Sequence, residues 1–365
     1  MARVLKVLFG ALVLGAMAAC GVPGGPIGEQ PITPEPAPTL PGLVSPSAPD
    51  YVTMNDTRAI SVPVSGSGFD TIYYETSSVR ELTGPDAVSG RYSTSDGALI
   101  LDLGGRSFVV RNGANGSGNL IMDAFDANGD HLGTSTATIA EYGPAYQYVK
   151  SVLIKGPYER LNGRIVVAPI WFGSIGIVTN PADMPTAGTA TFAGGAALNY
   201  TGGPNVALNG NKELVELGTS AITADFGAGT ANVDLIFTSS AQPEFSQTRY
   251  YLTVSRVSGA GLQISGNSMS GGSWTALGGN VSVFVPLPNA SEVPVDMVGR
   301  VLATTTAAET TTITSTGSFY GYDSASSGPA ELTGRVMVDG YTTDSQGVTS
   351  SDGSADYTYW AIHQP

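Results

Sequence analysis

Few residues in this chain are equipped for acid–base or nucleophilic chemistry. Its 365 residues include two histidines, His131 and His363, and one cysteine, Cys20. His131 follows Asn128-Gly129-Asp130, a turn-forming run, and His363 stands near the C-terminal end. Neither has a cysteine beside it at ligand spacing. No Gly-x-Ser-x-Gly elbow, His-Glu-x-x-His pair, Walker loop or complete Gly-x-Gly-x-x-Gly run occurs. Asp126-Ala127-Asn128-Gly129-Asp130 carries oxygen ligands at alternate positions, as a calcium loop does. A full loop would want acids where Ala124 and Ser135 stand, so the run reads as a hairpin turn. Paired carboxylates for glycoside cleavage can come from separate strands, and nothing in the order of residues brings two together. The expectation is a non-enzymatic protein with no metal and no cofactor.

Cys20 has a chemistry of its own. It closes the run Leu14-Gly15-Ala16-Met17-Ala18-Ala19-Cys20, behind a basic start at Arg3 and Lys6 and an apolar stretch from Val7 to Met17. That stretch has the length of a signal-peptide core and is too short to span a bilayer as a helix. The small residues Ala18 and Ala19 suit a signal peptidase. The run resembles a bacterial lipobox, in which the cysteine thiol receives a diacylglycerol and becomes the new N-terminus; Met17 stands where Leu is usual. One acyl chain holds a protein only marginally, whereas the two or three of a lipoprotein anchor it firmly. Gly21 in place of Asp leans toward the outer membrane, at its surface or its periplasmic face. Past Cys20 there is no further thiol, so stability has to come from burial and sheet hydrogen bonds.

Composition narrows the class. Charged residues make up 13%, well below the usual figure of about 25%. Glycine is abundant at 48 residues, and hydrophobic residues at 42% suffice for a core. The formal net charge of −14 argues against nucleic acid, which is bound by neutralising phosphates, and against anionic lipid surfaces.

The elements that must position any site are strands. Gly21 to Asp50 is Pro-rich and reads as an extended tether over 20–50, following a signal peptide over 1–19. From Tyr51 onward short apolar runs alternate with Gly, Asn, Asp and Ser, as in Ala98-Leu99-Ile100-Leu101 and Ser107-Phe108-Val109-Val110. Asn112-Gly113, Asn128-Gly129, Asn162-Gly163 and Asn209-Gly210 are hairpin dipeptides. Ser78-Val79-Arg80-Glu81 has the form of a capping box, but Gly84-Pro85 would end any helix, so one turn or a loop is expected. Arg164 to Val178 reads as buried strands. Asp183 to Gly188 looks like a boundary, giving a β domain over 51–183 and a second over 184–365.

In the second part alternation is regular. Val233, Leu235 and Phe237 share one face, as do Val281, Val283 and Val285, then Tyr250, Leu252 and Val254, then Val336 and Val338. Eight or more such strands fit a closed antiparallel barrel or a sandwich. Tyr142, Tyr146, Tyr148 and Tyr158 cluster near Pro144 and Pro157. They would make either an amphipathic binding patch or strand residues packing one face.

Three stretches carry a resemblance. Pro185 followed by Gly188-Thr189-Ala190-Thr191-Phe192-Ala193-Gly194 resembles the opening barrel strand of the transferrin-binding protein B family, with Phe192 where Tyr is frequent. Asp225-Phe226-Gly227 resembles that family's turn between barrel strands. Gly317-Ser318-Phe319-Tyr320-Gly321, then Pro329-Ala330-Glu331-Leu332-Thr333-Gly334, resembles its late-barrel motif, with Tyr322 to Gly328 inserted between the halves. The resemblance implies an all-β fold: a handle-like N-terminal β domain followed by an eight-stranded antiparallel barrel. It implies a single-lobe surface lipoprotein whose partner is a protein or an iron- or haem-containing ligand. A structural or adhesive envelope lipoprotein of the same fold is the alternative. Apart from the family, Phe319 and Tyr320 must point to opposite faces of one strand, so that one fills the barrel and the other faces outward.

Overall fold

The computed structural model describes residues 38–45, 47–48, 51–72, 78–81, 88–103, 106–111, 119–155, 159–161, 164–166, 170–201, 213–237, 249–252, 256–277, 281–285, 293–296, 309–343 and 349–365. The strands of the first half are β1 (Ser61–Ile72), β2 (Ser78–Glu81), β3 (Val88–Ser93), β4 (Leu99–Leu103), β5 (Arg106–Val110) and β6 (Asn119–Phe125). They continue with β7 (His131–Glu141), β8 (Val149–Lys155), β9 (Glu159–Leu161), β10 (Arg164–Val166) and β11 (Ile170–Gly176). Ser78–Glu81, expected as a turn, is therefore strand β2. It pairs with β1 from Phe69↔Glu81 to Ile72↔Ser78, and cross-strand pairing overrides the local capping signal.

The strand order β1-β3-β4-β5-β6-β7-β8-β11 closes on itself, because β11 pairs back onto β1 from Ser65↔Gly176 to Thr71↔Ile170. The handle-like domain is thus itself a closed eight-stranded antiparallel barrel. Closure removes the exposed edges of a chain with no disulfides to staple them. Its core follows the period of two: Val62 and Val64, Leu99 and Leu101, Phe108 and Val110, Met122 and Ala124, Val152 and Ile154 all point inward. β9 and β10 form a separate two-stranded ribbon. The hairpin read at Asp126–Asp130 joins β6 to β7. The Asp126 Oδ1 accepts the amides of Asn128 and Asp130, each at 2.8 Å, and with that of Gly129 they hold its carboxyl below the usual range.

The only helical element among the described residues is the 3-10 turn Pro181–Asp183, capped by the Asn180 Oδ1 accepting from the Ala182 amide. The second half then builds β12 (Thr189–Thr201), β13 (Glu213–Asp225), β14 (Thr230–Phe237), β15 (Arg249–Leu252), β16 (Arg256–Ser265) and β17 (Ser268–Ser270). There follow β18 (Ser273–Leu277), β19 (Val281–Val285), β20 (Val293–Asp296), β21 (Glu309–Tyr320), β22 (Glu331–Thr343) and β23 (Thr349–Gln364). The order β14-β13-β12-β23-β22-β21-β17-β16 closes through β14–β16, making a second eight-stranded antiparallel barrel. β17 and β18 are halves of one strand bent at Gly271 and Gly272, with φ of 70° and 87°, values open to glycine and strained for other residues. β15, β19 and β20 form a three-stranded sheet of their own. Of the alternating sets, Val233, Leu235 and Phe237 are buried together in the barrel core, and Val336 joins them. The side chains of the Val281 set and of Val338 lie outside the described residues.

Candidate functional site

The three motif stretches converge on one end of the second barrel. Phe192, Phe226 and Phe319 pack there with ring centroids of 5.9 Å (Phe192–Phe319) and 5.8 Å (Phe226–Phe319). Phe319 is fully buried. The Asp225 Oδ1 accepts the Ala228 amide at 2.9 Å, and the Phe226 amide donates to the Gly188 carbonyl at 3.0 Å, so Asp225-Phe226-Gly227 turns back onto the entry of β12. Gly317 and Gly334 are cross-strand partners, and any Cβ at Gly334 would fall inside the Tyr359 ring.

Tyr320 points the other way, as strand parity requires, yet it is as buried as Phe319. What it faces is the first barrel. Tyr142, Val149 and Tyr320 form a small core of their own, with Tyr146, Tyr148, Val178 and Trp360 packed around it. Tyr142 stacks on Trp360 with centroids 5.1 Å apart and planes at 24°, and its hydroxyl lies 2.6 Å from the Ser174 hydroxyl. The tyrosine cluster is therefore neither an exposed patch nor part of a barrel core: it fills the seam between the barrels. Tyr158 lies outside the described residues. Glycines of the motifs make the space. A Cβ at Gly321 would enter the Tyr148 ring, and one at Gly194 would sit 2.6 Å from the Tyr146 hydroxyl.

Glu331, the first residue of β22, is 2% exposed and reaches across this seam. Its carboxylate accepts the amides of Gln147 at 2.5 Å and Tyr148 at 3.0 Å. Burial pushes the Glu331 carboxyl up to about 7, against the pull of those amides and that of Val149. Backbone pairing reinforces the joint. The Gly321 amide donates to the Ile177 carbonyl at 2.8 Å, the Thr179 amide to the Phe319 carbonyl at 2.9 Å, and the Thr179 hydroxyl to the Gly321 carbonyl at 2.8 Å.

The end of the Pro-rich segment packs along the first barrel and reaches Asp183, whose Oδ2 accepts the Ala48 amide at 3.2 Å. Leu43 bridges Ser61 in parallel, and the Arg91 Nη2 donates to the Pro41 carbonyl at 3.1 Å. Tyr51 stacks on Tyr322 at 5.7 Å and meets Tyr148 edge-on at 6.4 Å. Its hydroxyl donates to Asp183 Oδ2 at 2.9 Å and accepts the Asn180 amide at 2.6 Å. Burial raises this phenol to about 12, so it stays protonated and donating. Tyr51→Phe should lower unfolding stability by about 1 kcal/mol, the value of a hydrogen bond to a partly exposed acid, read as a shifted urea midpoint at unchanged slope.

The histidines are engaged locally. His131 Nε2 lies 3.3 Å from Asp123 Oδ1, and Asp123 also meets Arg111 at 3.1 Å and Thr134 at 3.0 Å. His363 Nδ1 lies 3.2 Å from Asp323. Among the described residues no cluster of three or more His, Cys, Asp or Glu side chains could hold a metal ion. Sequence reading found Glu331, Tyr320 and the glycines as motif members but missed Tyr51 and Tyr322 as parts of the seam. The one available signal was strand parity, which turns Tyr320 away from the barrel interior without naming what it meets.

No family model matches the sequence, and no curated protein matches it. Solved structures do. A double mutant of transferrin-binding protein B, a vaccine antigen from Haemophilus parasuis Hp5, matches with a TM-score of 0.29 and 10% identity, covering 84% of this chain and 76% of that one. A single mutant of the same protein gives 0.30 and 11%, covering 89% and 78%. Intact Ap-TbpB, with N and C lobes, gives 0.27 and 11%, covering 84% and 77%. The two-barrel architecture rests on the chain's own strand pairing, and the chain is similar in structure to transferrin-binding protein B.

Proposed function

We propose that this chain is a non-enzymatic binding protein of the bacterial envelope, held at the outer membrane by lipid on Cys20. In this reading residues 1–19 are a signal peptide, 20–50 a tether, and 51–183 and 184–365 the two folded parts. The observation that carries it is the lipobox-like run ending at Cys20, followed by a Pro-rich segment and then two closed barrels. The partner is a protein or an iron- or haem-containing ligand. The barrel-motif residues Gly188, Phe192, Gly194, Asp225, Phe226, Gly227, Gly317, Phe319, Tyr320, Gly321, Glu331 and Gly334 are assigned to building the barrel and its seam, not to contacting that partner.

A second reading, a structural or adhesive envelope lipoprotein, draws on the seam itself, which engages Tyr142, Tyr146 and Tyr148 and so removes one candidate contact patch.

The wild type should incorporate labelled fatty acid and Cys20→Ala should not, with the fold intact by circular dichroism. A wild-type protein that takes up no fatty acid, or a Cys20→Ala variant that takes up as much, would sink the lipid-anchor reading. The purified wild-type protein, immobilised and offered iron-carrier proteins, or titrated with haem and followed by absorbance, tests the partner. Saturable binding supports the receptor reading, and its absence from a folded protein transfers the assignment to the structural one.

A further inference from the structure

Among the described residues two acids are buried, Asp123 and Glu331. Asp123 is balanced by Arg111, with His131 Nε2 3.3 Å from its other oxygen. Glu331 is not: burial and the amides of Gln147, Tyr148 and Val149 act on its carboxyl, with no basic side chain among them. Those amides all belong to the connection and first residue of β7–β8 in the first barrel, while Glu331 opens β22 in the second. The group is thus buried only while the barrels are docked, and separating them returns it to water. An ionised carboxylate loses much more than a neutral acid when water is withdrawn.

We propose that docking of the two barrels takes up a proton at Glu331, so that the seam holds most firmly in acid and loosens as the pH rises through neutrality.

The groups around it are consistent with a single titrating acid. The Glu331 charge bears on Tyr146 and Tyr148 of the β7–β8 connection, Tyr320 is its cross-strand partner on β21, and Tyr51 meets Tyr148 edge-on while stacking on Tyr322. Burial raises Tyr51, Tyr146, Tyr148 and Tyr320, so they remain neutral. His363 Nδ1 lies 3.2 Å from Asp323 Oδ2, and both residues belong to the second barrel. Lys150 and Glu141 form a pair within the first barrel, 3.4 Å apart.

The direction follows from linkage. The docked carboxyl titrates at about 7 and a solvated one at 4.5. Docked protein therefore binds more protons between those values; the contribution is full below 4.5 and is lost as pH rises through 7. A gap of this size corresponds to a docking constant changing on the order of a hundredfold.

The test is hydrogen exchange in the full-length protein at the Gln147 and Tyr148 amides, corrected for intrinsic rate, between about pH 5 and about pH 8. Protection in the wild type should fall by tens of fold or more across this range, and in Glu331→Gln it should be flat. Equal wild-type protection at the two ends, or a variant with the wild-type pH dependence, overturns the proposal. Should Glu331→Gln fail to fold, the carbon-13 shift of the wild-type Glu331 carboxyl decides the matter. A midpoint near neutrality upholds proton uptake, and an ordinary carboxylate midpoint refutes it.

Discussion

Phe319→Ala is expected to lower the unfolding stability of the second barrel by about 3–5 kcal/mol, the range for emptying an aromatic site in a packed core. Phe319 is fully buried and is the ring shared by Phe192 and Phe226, so its removal leaves both neighbours facing a void. Those neighbours sit on β12 and on the turn after β13, held by backbone hydrogen bonds that resist collapse into the space. Loss should appear in urea unfolding of the docked protein as a lower midpoint at unchanged slope. A loss below 1 kcal/mol would mean that the three-ring cluster does not organise this end of the barrel.

Gly321→Val is expected to act two residues away through a different route, on the seam. Gly321 has a φ of 64°, where a β-branched residue is strained, and its missing Cβ is the space that the Tyr148 ring occupies. Backbone strain of about 1–3 kcal/mol and overpacking of about 1–3 kcal/mol together give roughly 2–6 kcal/mol against docking. The barrels should remain folded but unfold independently, and protease should gain access to the connection between β7 and β8. Gly321→Ala should show the same effect at smaller size. A variant with unchanged protease resistance would show that Tyr148 can leave the glycine without loosening the joint.

These two substitutions also mark how far the sequence could be read. That Phe319 and Tyr320 look in opposite directions follows from the strand period alone, and burial of Val233, Leu235 and Phe237 follows from the same rule. The Asp126–Asp130 hairpin was equally legible, because an Asx turn is built from residues a few positions apart. What lies opposite an outward face was not legible. Glu331 and its amide partners are separated by more than 180 positions in the chain, and nothing local to Pro329-Ala330-Glu331 says that the carboxylate will be roofed by another barrel. The same distance hid closure of the first barrel, which depends on β1 meeting β11, and it hid the use of Tyr142, Tyr146 and Tyr148. Ser78–Glu81 misled for the converse reason: a local capping pattern was outweighed by pairing with β1.

The second barrel closes by joining its first strand to its last, β12 from Thr191↔Gln364 to Thr201↔Ser354, with β23 also paired along β22. β23 further supplies Tyr357, Tyr359 and Ala361 to the core. A chain emerging N-terminus first from a ribosome cannot finish this barrel until β23 is free to meet β12. Until then it presents an open sheet with two unpaired edges, the form most prone to wrong partners. Such dependence on sequence-distant contact makes closure slow, so a long interval open to capture or misassociation is written into the strand order itself.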